Sequence, residues 1–264
     1  MIDFLAVDSV AFRIGNTEIY WYGIIMCLAI IVALAVAVLY CKIKHYDTEM
    51  PINMAFVVVP SGILSARLFS VIFEEGLTLK DYFNFRTGGM SIIGALIGGA
   101  IGLVVYVFIK KPEDKWLYFD TAAVVLLLAQ AIGRWGNFFN GEVYGQLIDS
   151  SSFFARFPFA VEIDGQYYQA LFMYESVLNL IGFFAISMVY ICSKKHGLPT
   201  AIYLIYYGTV RTLLEGLRQE DYILRLWGMP ISRVCSAIMI AAGIAILIVL
   251  IVKWNKSKVK NEKK

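Results

Sequence analysis

Seven long apolar stretches dominate this chain of 264 residues, and they leave few folds open to it. They run over roughly 19–41, 52–73, 89–109, 117–137, 171–192, 199–217 and 230–252. Each is near the length of about 20 residues that a helix needs to cross a hydrocarbon core. Lipid offers the backbone no hydrogen bonds, so spans of this kind are helices that satisfy their own peptide groups. Composition agrees: 59% of the residues are hydrophobic and 16% charged, against roughly 45–50% and 25% in soluble domains. A soluble fold could not bury that excess, and disorder requires the opposite balance. The net charge of +3 is too small to imply a nucleic-acid partner. The expected fold is an all-α polytopic membrane protein of about seven helices, with residues 1–264 forming one transmembrane domain.

Charge sets the expected orientation. Lys42, Lys44, Lys110, Lys111, Lys115, Lys194, Lys195 and the six lysines from Lys253 to Lys264 follow spans one, three, five and seven. The positive-inside rule makes those ends cytoplasmic, with the N-terminus outside and the C-terminus inside. The first 18 residues do not read as a signal peptide, because Asp3, Asp8, Arg13 and Glu18 interrupt them. Phe4, Leu5 and Phe12 instead suit a segment lying along the interface. Between spans four and five, residues 146–170 form a hydrophilic outer insert, in which FAVEIDGQYYQ reads as a β-hairpin turning at Asp164-Gly165. Gly94, Gly98 and Gly102 recur every four residues in span three, a pattern that close helix packing explains. Cys27, Cys41, Cys192 and Cys235 show neither a disulfide framework nor a zinc spacing, and no metal or cofactor is expected.

All nine arginines fall in the membrane or on its outer side, where topology alone disfavours them. Arg67, Arg134 and Arg211 lie inside spans two, four and six. A cation at a span centre costs about 2.5–3.5 kcal/mol on insertion scales, so such residues are paired or face a polar cavity; snorkelling to the headgroups is the plainer alternative. In span six, Tyr207, Arg211, Glu215 and Arg218 are offset by four, four and three, which places them on one helix face. Two arginines against one glutamate leave a positive charge there, and guanidinium forks suit phosphate oxygens. At that depth the available phosphate belongs to a phospholipid. The segment GRWGNFFNGEVYG at 133–145 gathers Arg134, Asn137, Asn140 and Glu142 among four glycines, which let a ligand or another chain approach closely.

GRWGNFFNGEVYG resembles the signature of the bacterial prolipoprotein diacylglyceryl transferases, G-R-x-G-N-F-x-N-x-E-x-x-G, at every defined position. The resemblance extends along the chain. YWYGI at 20–24, SARL at 65–68 and GGMSIIGALIGG at 88–99 are similar to the family's first three helices. LFMYESVLN at 171–179 and YGTVRTLLEGLRQED at 207–221 resemble its L-Y-E-x-x-x-N and Y-G-x-x-R-x-x-x-E-x-x-R-x-x-D segments. The resemblance implies a multi-pass enzyme of the bacterial cytoplasmic (inner) membrane. It would move the diacylglyceryl group of phosphatidylglycerol onto the lipobox cysteine thiol of a prolipoprotein, as the first step of lipoprotein maturation. Its partners would be that phospholipid, the precursor's signal-peptide region and membrane lipids.

Under that implication Arg134 and Arg211, with Arg67, neutralise charge growing on the leaving phosphate. Asn137 and Asn140 hold headgroup oxygens, and Tyr22, Tyr207 and Arg218 complete the phospholipid site. Glu142 and Glu215 orient the arginines or accept a proton, a role Tyr22 could share with Glu142. Two departures concern the same chemistry. The family's third helix carries S-x-H-G-G where this chain has Ile93, and the H-P that precedes its fifth span is here Gln169-Ala170. The two histidines, His45 and His196, lie at cytoplasmic ends. Two other readings stay open: a paralogue that keeps the phospholipid cavity with another acceptor or no transfer, and an anion or phospholipid transporter.

Overall fold

The computed structural model describes residues 8–73, 77–84, 89–219, 223, 225–226 and 228–262. It is mostly helical. A hairpin of β1 (Val10–Ile14) and β2 (Thr17–Tyr20) leads into α1 (Trp21–Ile43), followed by α2 (Glu49–Phe73), α3 (Ile92–Lys110) and α4 (Lys115–Asn140). After α4 come β3 (Leu147–Ile148), β4 (Ala160–Ile163) and β5 (Gln166–Gln169), then α5 (Leu171–Cys192) and α6 (Leu198–Glu215). A short pair, β6 (Arg225–Leu226) and β7 (Met229–Pro230), precedes α7 (Ile231–Glu262).

Each of the seven expected spans corresponds to one helix. Among the described residues six helices, all but α6, are long and apolar enough to cross a membrane, so the chain is a multi-pass helical membrane protein. The exception has a chemical reason: α6 is only 18 residues long, and Arg211 and Glu215 lower its hydropathy. At the N-terminus, Phe4 and Leu5 lie outside the described residues. Phe12 stands on β1, in a hairpin whose register pairs Arg13 with Glu18 and Ile14 with Thr17.

The chain divides into two compact units, one of Met1–Val36 with Ala122–Lys264 and the other of Ala37–Thr121. In the Ala37–Thr121 unit α2 packs on α3, and Gly94, Gly98 and Gly102 form the seam. An added Cβ at Gly94 would lie 2.6 Å from the Ser65 carbonyl and the Phe69 Cβ, and one at Gly98 2.6 Å from the Ser61 carbonyl. Hydrogen at those positions is what lets the two backbones meet. Arg67 is fully buried in this unit. Its Nε and Nη2 donate to the Asp81 carbonyl at 3.2 and 2.8 Å, Nη2 to that of Asn84 at 2.8 Å, and Nη1 to that of Gly89 at 2.9 Å. The guanidinium thus binds together three carbonyls of the segment after α2.

In the other unit the insert forms a three-stranded antiparallel sheet, ordered β3-β5-β4. β4 and β5 pair Ala160 with Gln169 and Ile163 with Gln166. The turn lies at Asp164-Gly165, whose φ values of 51° and 75° fit the left-handed geometry that hairpin turns prefer. Alternation puts Val161 and Ile163 on one face, against Phe138 of α4 and Phe172 of α5. That cluster seats the insert on the helix ends that carry the site.

Candidate active site

Three helix ends in the larger unit supply the site. Arg134 and Asn137, three residues apart near the end of α4, share a face, and Arg134 Nη1 donates to Asn137 Oδ1 at 3.3 Å. From α5, Glu175 accepts Arg134 Nη2 at 2.7 Å on one oxygen and Arg211 Nη1 of α6 at 3.0 Å on the other. Arg211 Nη2 then reaches Glu215 at 3.3 Å, and Arg218 Nη1 lies 3.9 Å from the same Glu215 oxygen. Tyr207 donates to Glu175 at 3.5 Å and stacks on Tyr203, with ring centroids 5.8 Å apart. Arg134, Asn137, Glu175, Tyr207 and Glu215 are all at least nine-tenths buried.

These charges do not cancel locally. Among the described residues the ion-paired network sets three arginines against Glu175 and Glu215. The cluster's third carboxylate, Glu142, accepts amide donors and pairs with no arginine, so the guanidinium end of the site is locally positive. Arg218 Nε is buried and, among the described residues, has no hydrogen-bond partner. Burial, with Arg211 close by, pushes its guanidinium down to about 10, which still leaves it charged at neutral pH. A buried cation with a free donor is suited to an added anion, because charge-assisted bonds to guanidinium are among the stronger ones available.

The loop after α4 forms the rim. Asn137 Nδ2 and Asn140 Nδ2 donate to the same oxygen of Glu142, at 3.1 and 3.3 Å. Among the described residues Glu142 has no ion pair with an arginine. Gly141 turns the chain with a φ of 64°. The loop is joined to the end of α6 by a bridge between Gly145 and Arg218 and by Gln219 Nε2 on the Gly145 carbonyl at 3.1 Å. Gly136 has another use: an added Cβ would lie 2.6 Å from the Tyr22 ring, so glycine there lets α1 bring Tyr22 against α4. Beside this, a groove of about 290 Å³ is lined by Ile25, Leu28, Ala131, Trp135, Ser176 and Leu180 among others.

Of the residues singled out from the sequence, Arg134, Asn137, Asn140, Glu142, Tyr207, Arg211, Glu215 and Arg218 form one connected cluster, and Tyr22 packs on its supporting helix. Arg67 and Ile93 belong to the other unit, and the carbonyls around Arg67 take up the donors expected to meet phosphate. Glu175 was missed as a site residue, although it is the joint between two arginines. Its signal was available: a carboxylate in a span, among apolar neighbours, marks a polar partner by the same argument applied to the arginines.

Fold and site together define a polytopic helical membrane protein with a buried, arginine-rich polar centre at its helix ends. Comparison with known proteins makes this specific. A model of the prolipoprotein diacylglyceryl transferase family matches residues 9–249. A Clostridium botulinum protein named phosphatidylglycerol–prolipoprotein diacylglyceryl transferase is 36% identical over 264 residues, covering 95% of this chain and all of its own. A Clostridium kluyveri protein of the same name is 36% identical over 253 residues, 92% of this chain and 97% of its own. The chain belongs to the prolipoprotein diacylglyceryl transferase family.

Proposed function

We propose that this chain transfers the diacylglyceryl group of phosphatidylglycerol to a prolipoprotein cysteine in the bacterial cytoplasmic membrane. The observation that carries the reading is the Arg134–Glu175–Arg211–Glu215–Arg218 network, in which three arginines share two carboxylates and, among the described residues, Arg218 keeps a buried donor without a partner. The phosphate of phosphatidylglycerol supplies an anion for that donor, and the apolar groove between α1, α4 and α5 receives acyl chain. In the reaction the precursor's thiolate sulfur forms a bond to a glyceryl carbon as that carbon's bond to phosphate oxygen breaks. The thioether product carries the diacylglyceryl group, and glycerol phosphate leaves. Charge grows on the departing oxygens, where Arg134, Arg211 and Arg218 oppose it.

The thiol proton needs an acceptor. Glu175 and Glu215 are engaged by arginines, whereas among the described residues Glu142 receives amide donors and no arginine, so Glu142 is the acceptor this arrangement favours. Neighbouring guanidinium groups raise the thiolate fraction directly. The lysine distribution supports an outside N-terminus, a cytoplasmic C-terminus and an outer position for residues 146–170. A strain depleted of its own transferase and supplied with this chain should regain lipoprotein modification. Cysteine labelling in the same cells should reach Ser150→Cys from outside and fail to reach Glu113→Cys. Absence of rescue despite membrane-inserted, correctly labelled protein contradicts the activity; the reverse labelling contradicts the orientation.

A further inference from the structure

The loop between β3 and β4 carries a feature that the transfer reaction does not use. Phe153, Phe154 and Phe157 are 63%, 54% and 41% exposed, while Ala155 among them is buried. The loop is firmly held: Ser152 O accepts the Ala155 N–H at 3.0 Å, and Arg156 O accepts those of Phe159 and Ala160 at 2.8 and 3.0 Å. Asp149 accepts both the N–H and the hydroxyl of Ser151 at 2.9 Å. Exposure of three phenylalanines on an ordered loop calls for a partner surface.

Two contacts fix its level along the helices. Tyr174, in the first turn of α5, donates its hydroxyl to the Phe159 carbonyl at 2.8 Å. Ala170, at the start of that helix, donates its N–H to the same oxygen at 2.9 Å. The Phe154 ring meets that of Phe159 with centroids 5.4 Å apart. The exposed aromatics therefore stand level with the end of a membrane-crossing helix, where headgroups meet acyl chains and aromatic side chains concentrate. A cation completes the patch: the Arg156 guanidinium lies 3.6 Å from the Phe153 ring centroid. Among the described residues it has no carboxylate partner.

We propose that Phe153, Phe154, Arg156 and Phe157 form an interfacial anchor that docks the insert onto the headgroup layer of an anionic phospholipid leaflet. The rings enter the acyl boundary, and Arg156, supported on one ring face, meets lipid phosphate. This holds the β3-β5-β4 sheet against the bilayer beside the site, whatever reaction the site performs. A precursor's apolar segment is the competing occupant; the position of the patch at the helix end and its single unpaired cation favour lipid.

The test uses the full chain in phospholipid nanodiscs, with p-benzoylphenylalanine placed singly at 153, 154 or 157 and, for comparison, at Gln166 on the exposed start of β5. After irradiation, intact mass reports lipid adducts. The anchor predicts adducts at the three tip positions in several-fold excess over Gln166, without added precursor. In discs of phosphatidylglycerol, Arg156→Gln should reduce them by about fivefold, the effect of one cation near an anionic surface, and leave those in phosphatidylcholine discs unchanged. Three positions keep the result readable if one variant folds poorly. Tip yields equal to that of Gln166 overturn the proposal, as do adducts that form only with a precursor peptide.

Discussion

Glu175 holds Arg134 of α4 and Arg211 of α6 on its two oxygens, so each arginine has fixed donors before any ligand arrives. Arg134 uses Nη1 for Asn137 and Nη2 for Glu175, a division that only a planar fork can make. An ammonium is a point charge with no such geometry. Arg134→Lys should keep the charge and yet lose about 1.5–3 kcal/mol, the worth of a hydrogen bond to a charged group. Transfer by the purified variant should fall roughly ten- to hundredfold, with folded yield near that of the native protein. Near-native turnover would remove Arg134 from phosphate recognition. Arg67 shows the limit of reading one residue type from sequence. An arginine inside a span looks the same whether its donors meet a ligand or backbone carbonyls, and here the carbonyls of Asp81, Asn84 and Gly89 come from a segment beyond its own helix.

At the scale of the elements, the glycine seam of α3 offers a comparison with an internal control. A Cβ at Gly98 would run into the side chain of Ser65 and lie 2.6 Å from the Ser61 carbonyl, whereas one at Gly99 meets Val58 Cγ1 at an ordinary 3.5 Å. Gly98→Ala should therefore lower detergent stability by about 1–3 kcal/mol through overpacking. Gly99→Ala should be neutral or slightly stabilising, since alanine gains up to about 1 kcal/mol in helix propensity. Thermal melts of the two variants separate these outcomes, and equal destabilisation would contradict the seam. The helices were legible because a span must be both long and apolar, and the hairpin because Asp164-Gly165 supplies the turn its strands require. The sixth span was legible too, at 199–217 against α6 at Leu198–Glu215, although its site residues dilute the apolar signal that announces a span. Glu175 was obscured: its partners sit 41 and 36 residues away, beyond any helical periodicity.

For the whole molecule the open chemical question is activation of the thiol. The resemblance to the family implies a third-helix histidine, and here that position is Ile93. The protein's histidines, His45 and His196, follow α1 and α5, at ends the lysine pattern assigns to the cytoplasm. In the proposed reaction arginines stabilise thiolate and departing phosphate, and Glu142 receives the proton. The most direct measurement is the rate at which the purified protein, in vesicles containing phosphatidylglycerol, converts a lipobox peptide to its diacylglyceryl thioether across pH. Transfer should climb with pH through neutrality as thiolate forms, toward a limit below the free thiol's pKa of about 8.5 because the guanidinium groups favour thiolate, with no plateau already at about pH 6.5. A rate that levels off around pH 6.5, as an imidazole base would give, or an absence of product at every pH, would contradict this reaction.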